Sequence, residues 1–270
     1  MKTVVILTGS ELRHTYFRKK IALSENINVL KTYCESVDNL IENGTKEESW
    51  VRRKKHLLAR EQSEIDFFSL FVENTPDHSN PAFLHKGEVN NPNIVNEIMN
   101  LLPEVIVVYG SSIIKEPILS AFPNKIINVH LGLSPYFRGA ATNFWPFIEN
   151  LVECIGVTFM YIDAGIDTGR IIHQIRPEIN FFDTPSSIGN RLIKQMTAVV
   201  HKLIINYEKL ATMPPPTFKN FNRFYRKKDY SEEAVELVYK NFCNGMIENY
   251  LNNKVIRDSC FPIVTNPAIT

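Results

Sequence analysis

The amino-acid sequence predicts an α/β fold of Rossmann-like type, in which helices flank a mostly parallel sheet. Three apolar runs, at residues 3–8, 104–109 and 126–130, each end at glycine or at polar residues. Helical patterns lie between and after these runs. Short apolar runs that alternate with helices are typical of parallel strands that are buried on both faces of a sheet. We therefore expect one α/β sheet with its ligand site beyond the carboxyl ends of the strands.

The first half of the chain predicts two strands and three helices. The strand at 3–8 leads into a helix at 11–22, and a second strand fits residues 27–33. Thr45 and Glu48 form a capping-box pattern that opens a long, charged helix running to about residue 72. Its basic run at 52–55 is expected to face solvent, and the helix itself to be peripheral. Residues 75–92 read as loop and 94–102 as a short helix.

The second half continues the alternation. The strand at 104–109 breaks at Gly110, and we expect a helix to about residue 121 before the strand at 126–130. Thr184 and Pro185 begin a helix with an apolar stripe. Residues 213–216 are the clearest linker, so we predict a catalytic domain at 1–212 and a small C-terminal appendage at 217–270. Within the appendage Ser231 caps a helix to about residue 243, and little pattern follows residue 252.

Composition narrows the possible functions. The apolar fraction is 44%, as in an ordinary globular core, and the formal net charge is +1. That charge offers no general attraction to polyanions, so a nucleic-acid partner is not expected. The four cysteines show neither metal-binding spacing nor a disulfide framework, and we predict no metal. No apolar run is long enough to cross a bilayer and the first residues do not resemble a signal peptide, so we expect a cytoplasmic protein without a membrane partner.

The strand at 126–130 carries the most informative pair of side chains. Asn128 and His130 alternate with apolar residues and therefore point the same way, about 6.6 Å apart along the strand. Asp167 follows on a turn flanked by glycines. A carboxamide, an imidazole and a carboxylate in this order can form an acyl-transfer site, in which the first two stabilise an oxyanion. Each residue alone also has a plain structural interpretation, as a core histidine, a strand-edge asparagine or a turn-forming aspartate.

The segment NVHLGLSPYFRG, followed by GVTFMYIDAGIDTG, resembles the core signature of the folate-dependent formyltransferases. The resemblance covers about the first three quarters of the chain and fades after about residue 207. It implies that Asn128, His130 and Asp167 are catalytic and that 10-formyltetrahydrofolate is the formyl donor. Asp167 would pair with His130 and help to move the proton of the attacking amine. The chain departs from the family pattern at two places. It has His-Leu-Gly at 130–132 where the family usually has His-Pro-Ser, and Leu-Ser-Pro at 133–135 where the family has Leu-Leu-Pro.

The resemblance also implies binding residues around this centre. The turn after the 104–109 strand and the loop before Asp167 would enclose the pterin ring of the donor, through Tyr109, Gly110, Ser111, Ser112, Ile113, Asp163 and Gly165. The acceptor would meet the end of the first strand and the loop after the Asn-x-His strand, through Gly9, Ser10, Arg13, His14, Ser134, Pro135, Arg138 and Gly139. The competing interpretations are ordinary strand-to-helix turns and a surface arginine that holds its loop in place.

The acceptor amine is inferred by elimination. Methionyl-tRNA formyltransferases typically carry a C-terminal β-barrel for tRNA, whereas the residues after Pro216 are few and partly helical. Glycinamide ribonucleotide transformylases are usually shorter. We therefore expect small-molecule substrates, with an amino sugar linked to a nucleotide as the acceptor and methionyl-tRNA or glycinamide ribonucleotide as the alternative acceptors. Formation of a homodimer is a further possible role of the tail. A formyltetrahydrofolate hydrolase and a non-catalytic folate-binding module are the alternatives from other functional classes.

Overall fold

Seven strands form the main sheet in the part of the chain that the computed structural model describes, residues 1–36, 51–163, 165, 167–212 and 223–269. The strand order is β3-β2-β1-β4-β5-β7-β8. The first five strands in this order run parallel, and β7 and β8 are antiparallel to their neighbours. The predicted α/β fold is confirmed. The order reverses between β1 and β4, the position at which such sheets open a crevice for ligands.

The strands are β1 (Lys2–Gly9), β2 (Ile27–Glu35), β3 (Pro81–Leu84), β4 (Val105–Tyr109), β5 (Ile126–His130), β6 (Phe137–Gly139), β7 (Val157–Tyr161), β8 (Ile171–Ile175) and β9 (Arg223–Tyr225). The helices are α1 (Leu12–Ala22), α2 (Val51–Asn74), α3 (Pro92–Leu101), α4 (Ile118–Ala121), α5 (Trp145–Ile148), α6 (Pro185–Ile205), α7 (Glu232–Cys243), α8 (Met246–Asn252) and α9 (Lys254–Cys260). Strands β6 and β9 pair in a separate two-stranded sheet.

Strand β1 shows how the sheet divides the core in two. Val4 and Ile6 belong to a large apolar cluster on the side of α1, α2 and α6, whereas Val5 and Leu7 belong to a smaller cluster with α3 and α4. All four side chains are fully buried. Alternate side chains of a strand point to opposite faces, so a strand covered on both faces needs an unbroken apolar run.

Helix α2 is not peripheral, contrary to the expectation from sequence. It packs against α1, α6 and α7. Phe68 is fully buried and lies against Tyr16 of α1, with ring centroids 4.8 Å apart. Ser63 accepts a hydrogen bond from the Asn190 side chain of α6 at 2.9 Å. The predicted cap at Thr45 lies outside the described residues, as does the linker at 213–216.

Two further local predictions were wrong. The expected loop at 75–92 contains β3, which pairs with β2 at the edge of the sheet. The helix expected directly after Gly110 is only the single turn α4, because Pro117 disfavours helical backbone at the residue before it. The caps at Thr184 and Ser231 are confirmed, since each side chain accepts from a backbone N–H of the first helical turn.

The C-terminal segment packs onto the body of the protein. The Tyr225 ring stacks on Trp145 at 4.2 Å between centroids, and Val235 and Tyr250 are buried in the same apolar cluster as the sheet. Beyond residue 252, where the sequence showed little pattern, lies α9. The Asn266 backbone N–H then donates to Nδ1 of His173 on β8 at 3.0 Å. These contacts bring residues 226–230 to the edge of the cavity described next.

Candidate active site

A cavity of about 670 Å³ opens beyond the carboxyl ends of the central strands. Its walls come from the start of α1, the turn after β4, the end of β5 and the loop after β7, which together carry most of the residues singled out from the sequence. Helix α2, the N-terminal turns of α6 and residues 226–230 close the opposite side. The cavity therefore lies at the position that the strand order indicates.

Asn128, His130 and Asp167 meet in this cavity. Nδ1 of His130 lies 3.1 Å from Oδ1 of Asp167, and both side chains are largely shielded from solvent. Nε2 of His130 lies 3.3 Å from the hydroxyl of Thr142. That hydroxyl donates its own proton to the Leu131 carbonyl, so it can only accept from His130. Both ring nitrogens thus face hydrogen-bond acceptors, which fix the orientation of the imidazole.

The loop after β7 is shaped to present Asp167. The residue has a φ of 52°, in the left-handed region that aspartate tolerates better than most side chains. Asp163 holds the loop from within, because its Oδ1 accepts from the Gly165 N–H at 2.9 Å and from the Thr168 hydroxyl at 2.7 Å. At Gly169 a Cβ atom would collide with the carbonyl oxygen of Tyr161, so this position requires glycine. Asp163 therefore both lines the cavity and stabilises the turn.

All seven residues predicted to bind the donor line the cavity: Tyr109, Gly110, Ser111, Ser112, Ile113, Asp163 and Gly165. Gly110 has a φ of 76°, and a Cβ atom there would collide with Nε2 of His14. The backbone can thus turn sharply at the end of β4 and lie open to the cavity. Ile113 is 64% exposed and offers an apolar contact at the rim. A flat ring could stack in this crevice and hydrogen-bond to main-chain groups.

The residues predicted to bind the acceptor divide into two groups. Arg13, His14 and Gly139 line the cavity. The other five, which the structure places outside the cavity lining, are Gly9, Ser10, Ser134, Pro135 and Arg138. The buried Ser134 connects its loop to the sheet, since its N–H donates to the Thr158 hydroxyl at 2.9 Å and its carbonyl accepts from Gln174 at 2.7 Å.

Arg13 and His14 form a polar floor rather than an open anion site. Arg13 donates to Glu64 of α2 at 2.6 Å and to Glu11. Burial lowers the pKa of His14 well below its ordinary value, so the imidazole is neutral at pH 7. Nδ1 of His14 and the hydroxyl of Tyr109 have no hydrogen-bond partner within the described residues. Buried polar atoms usually have a hydrogen-bond partner, so a polar group of a ligand could form a hydrogen bond with either of these two atoms.

Helix α2 supplies site residues that sequence reasoning missed. Arg53, His56, Leu57, Arg60 and Glu64 recur at helical spacing and line the cavity. Their helical spacing could have indicated that they share one face of α2. The many charged residues in this helix suggested a solvated surface instead. The helix therefore places two guanidinium groups in the cavity wall.

Aromatic rings surround these charges. Burial lowers the pKa of His56 to about 4, and its Nδ1 lies 3.0 Å from the hydroxyl of Tyr239. Its ring packs edge-on against Phe144 at 5.7 Å between centroids. The guanidinium of Arg53 lies over the Tyr230 ring at 5.0 Å. Arg226 and Lys227 line the same end of the cavity, whereas Arg223 forms an ion pair with Glu149 at 2.5 Å.

The described residues contain neither a metal-binding cluster nor a membrane-spanning helix. No group of three or more histidine, cysteine, aspartate or glutamate side chains is placed to hold a metal ion there. No helix in the same part of the chain is both long enough and apolar enough to cross a membrane.

The sequence is similar to those of known methionyl-tRNA formyltransferases. Methionyl-tRNA formyltransferase from Alkaliphilus oremlandii is 32% identical over 179 residues, which are 63% of this chain and 56% of the relative. The corresponding protein from Caldanaerobacter subterraneus is 45% identical over 105 residues, which are 38% of this chain and 33% of the relative. The chain thus spans between a third and just over half the length of these two relatives.

Solved structures share the fold at low identity. A sugar N-formyltransferase from a Shewanella species has a TM-score of 0.54 at 15% identity, covering 88% of this chain and 87% of its own. A phosphoribosylglycinamide formyltransferase from Anaplasma phagocytophilum has a TM-score of 0.53 at 18% identity, covering 83% and 98%.

The profile of the family described as formyl transferase matches residues 41–204, more than half of the 270 residues. The matched region contains the Asn128–His130 strand, Asp167 and the turn after β4, so the family resemblance that the motifs indicated is confirmed. The chain belongs to the formyl transferase family.

Proposed function

We propose that the protein is an N-formyltransferase that moves a formyl group from 10-formyltetrahydrofolate to a primary amine. The observation that carries this proposal is the meeting of Asn128, His130 and Asp167 in one cavity, with the His130–Asp167 distance at 3.1 Å. The crevice formed by the turn after β4 and the loop after β7 suits a flat, polar ring bound through main-chain groups. Family membership supports the same donor.

The donor, when bound, supplies a formyl carbon that an amine can attack. The Asn128 amide and the Nε2–H of His130 would donate hydrogen bonds to the formyl oxygen as its negative charge develops, with the Nε2–H shared between that oxygen and the Thr142 hydroxyl. Such a role is worth a few kcal/mol per donor. Asp167 would orient the imidazole through its Nδ1 atom and accept the proton of the attacking nitrogen, directly or through water. The same proton must finally reach the leaving nitrogen of the folate, so no net acid or base is consumed.

We propose further that the acceptor is an amino sugar carried on a nucleotide, which would bind between α2 and residues 226–230. Arg53, Arg60, Arg226 and Lys227 line that end of the cavity, beside the rings of Phe144 and Tyr230. Guanidinium groups suit phosphate oxygens, and aromatic faces suit a base or a sugar ring. On this proposal, the segment 217–270 acts as the acceptor-side appendage of a catalytic domain at 1–212.

Methionyl-tRNA is the rival acceptor, because the relatives from Alkaliphilus oremlandii and Caldanaerobacter subterraneus are named for it. The formal net charge of +1 gives this chain little long-range attraction to a polyanion. Arg53 and Arg60 line the cavity as half-buried side chains, and Arg226 and Lys227 are exposed at its edge, an arrangement that favours a small anionic acceptor held in the cavity.

The decisive experiment measures release of tetrahydrofolate from 10-formyltetrahydrofolate with a panel of acceptors. The panel contains nucleotide-linked amino sugars, glycinamide ribonucleotide, methionyl-tRNA and a sample without acceptor. We expect turnover only with a nucleotide-linked amino sugar, together with formation of the N-formyl product.

The control sample separates transfer from hydrolysis. Equal release of tetrahydrofolate and formate without acceptor would instead identify a hydrolase. Turnover with methionyl-tRNA alone would retain the formyl-transfer chemistry but overturn the acceptor.

A further inference from the structure

Glu35 is a buried acidic side chain at the end of β2 that the chemistry above does not use. It is 2% exposed. Oε2 accepts from the Ser112 N–H at 2.5 Å, and Oε1 accepts from the N–H groups of Gly87 and Val89 at 2.9 and 3.2 Å. All three partners are N–H donors, so both side-chain oxygens act as acceptors. The side chain thus joins β2, the turn at 85–90 and the turn after β4.

The turn after β4 needs such support from outside. Residues 110–115 belong to no helix or strand, and their backbone groups bond to side chains from other segments. Besides the bond from Ser112 to Glu35, the Ile113 carbonyl accepts from the Asn90 side chain at 2.9 Å, and the Lys115 N–H donates to the same side chain at 2.9 Å. The opposite side of the turn lines the cavity.

A charged acceptor is the strongest available partner for these amides. Hydrogen bonds to a carboxylate are shorter and about twice as strong as neutral ones. A buried carboxylate is costly unless several donors satisfy it, and Glu35 has three. The arrangement therefore holds the turn in one conformation, and it also occupies the Ser112 N–H, so that a ligand in the cavity must use other main-chain groups.

We propose that Glu35 is a positioning residue for the donor, which acts through the backbone of residues 110–113 rather than by touching the reacting atoms. The inference rests on the proposed function only in naming a folate as the ligand of this turn. Its structural part, control of the turn by Glu35, concerns this chain alone.

The test is Glu35→Gln, which keeps the shape of the side chain. The amide would face the N–H groups of Gly87, Val89 and Ser112 with one NH₂ group and one uncharged oxygen. We expect hydrogen exchange at residues 110–115 to accelerate by tenfold or more, and the dissociation constant of 5-formyltetrahydrofolate, measured by calorimetry, to rise about tenfold. The acceptor Michaelis constant and the turnover number at saturating donor should change less than threefold.

The matched control is Glu104→Gln. Glu104 lies at the other end of the same sheet and accepts from the Thr3 N–H at 2.7 Å, far from the cavity. This variant should lose stability without affecting folate affinity or exchange at 110–115. Should Glu35→Gln not fold, Glu35→Asp keeps the charge but shortens its reach, and we expect the same two changes.

The outcomes separate the two proposals. If wild-type protein binds no folate but Glu35→Gln still accelerates exchange at 110–115, the donor is wrong and control of the turn by Glu35 stands. If exchange and folate affinity are unchanged in a folded Glu35 variant, or change equally in Glu104→Gln, the positioning role is overturned.

Discussion

Nδ1 of His130 lies 3.1 Å from Oδ1 of Asp167, and the two residues come from different, adjacent parts of the sheet. His130 ends β5, and Asp167 lies in the loop that leaves the antiparallel neighbour β7. The second ring nitrogen points at the Thr142 hydroxyl, so the imidazole is oriented at both nitrogens. Asn128 shares the face of His130 on β5, so the two side chains together would define where the reacting carbonyl oxygen lies.

The first prediction concerns this centre. Asn128→Ala and His130→Ala should each lower the turnover number by about a hundredfold or more, because each removes a donor to the developing oxyanion. Asp167→Asn keeps the shape, removes the charge and should be comparably damaging. Steady-state rates of tetrahydrofolate release measure the effect, and calorimetry with 5-formyltetrahydrofolate checks that the donor still binds. The exposed His85→Ala is the control. Near-native rates in any two of the three folded variants would contradict the proposed catalytic roles.

The second prediction concerns Thr142, which touches His130 but not the proposed reacting atoms. Thr142→Val is nearly isosteric and leaves His130 Nε2 without its acceptor. We expect the turnover number to fall roughly tenfold, the usual cost of one hydrogen bond, with donor affinity unchanged. Thr142→Ser retains the hydroxyl and should restore most of the rate. Equal activity of the valine variant and wild type, or equal loss with serine, would show that Thr142 does not orient the imidazole.

The third prediction concerns the acceptor end of the cavity. Arg60→Ala and Arg226→Ala should each raise the acceptor Michaelis constant about tenfold, because each removes a charge-assisted contact to phosphate. The effect should weaken as salt is added. Lys55→Ala is the control, since Lys55 lies on α2 but is exposed and outside the cavity lining. Light scattering is measured in parallel, and a loss of association in Arg226→Ala with an unchanged Michaelis constant would assign the tail to dimerisation instead.

The fourth prediction concerns stability against pH. Burial lowers the pKa of His56 and of His173 to about 4, whereas both ionise near 6.5 in the unfolded chain. Between these values the unfolded state binds protons that the folded state does not, so stability is complete above about pH 6.5 and falls as the pH drops toward 4. Each histidine accounts for at most about 3 kcal/mol of this loss.

Urea unfolding at several pH values between 4.5 and 7.5 measures the slope. His173→Gln keeps an acceptor for the Asn266 N–H and should flatten the curve, and His56→Gln should do the same. Carboxylates with a lowered pKa, such as Asp183, lose their contribution to stability only below about pH 4. They therefore affect the measured slope little between pH 4.5 and 7.5. Parallel curves for wild type and the double variant would contradict the assignment.

Local features of the sequence determined much of the sheet and the centre of the site. Apolar runs at β1 and β4 were sufficient because a strand buried on both faces is apolar at nearly every position. The alternation of Asn128 and His130 placed both on one face of β5, and the motif that follows added Asp167. The caps Thr184 and Ser231 were readable because a cap is satisfied within its own helical turn.

The tertiary structure alone decided which charged residues became part of the site. Most of the basic run at 52–55 is exposed as its sequence predicts, yet packing of α2 against α1, α6 and α7 places Arg53, and Arg60 further along the helix, in the cavity lining. Glu35 and Thr142 reach partners far along the chain, at Ser112 and His130, and a pattern within one strand or loop carries no information about such partners. Periodicity records how a segment is buried, whereas the choice of partner across segments depends on how the whole chain packs.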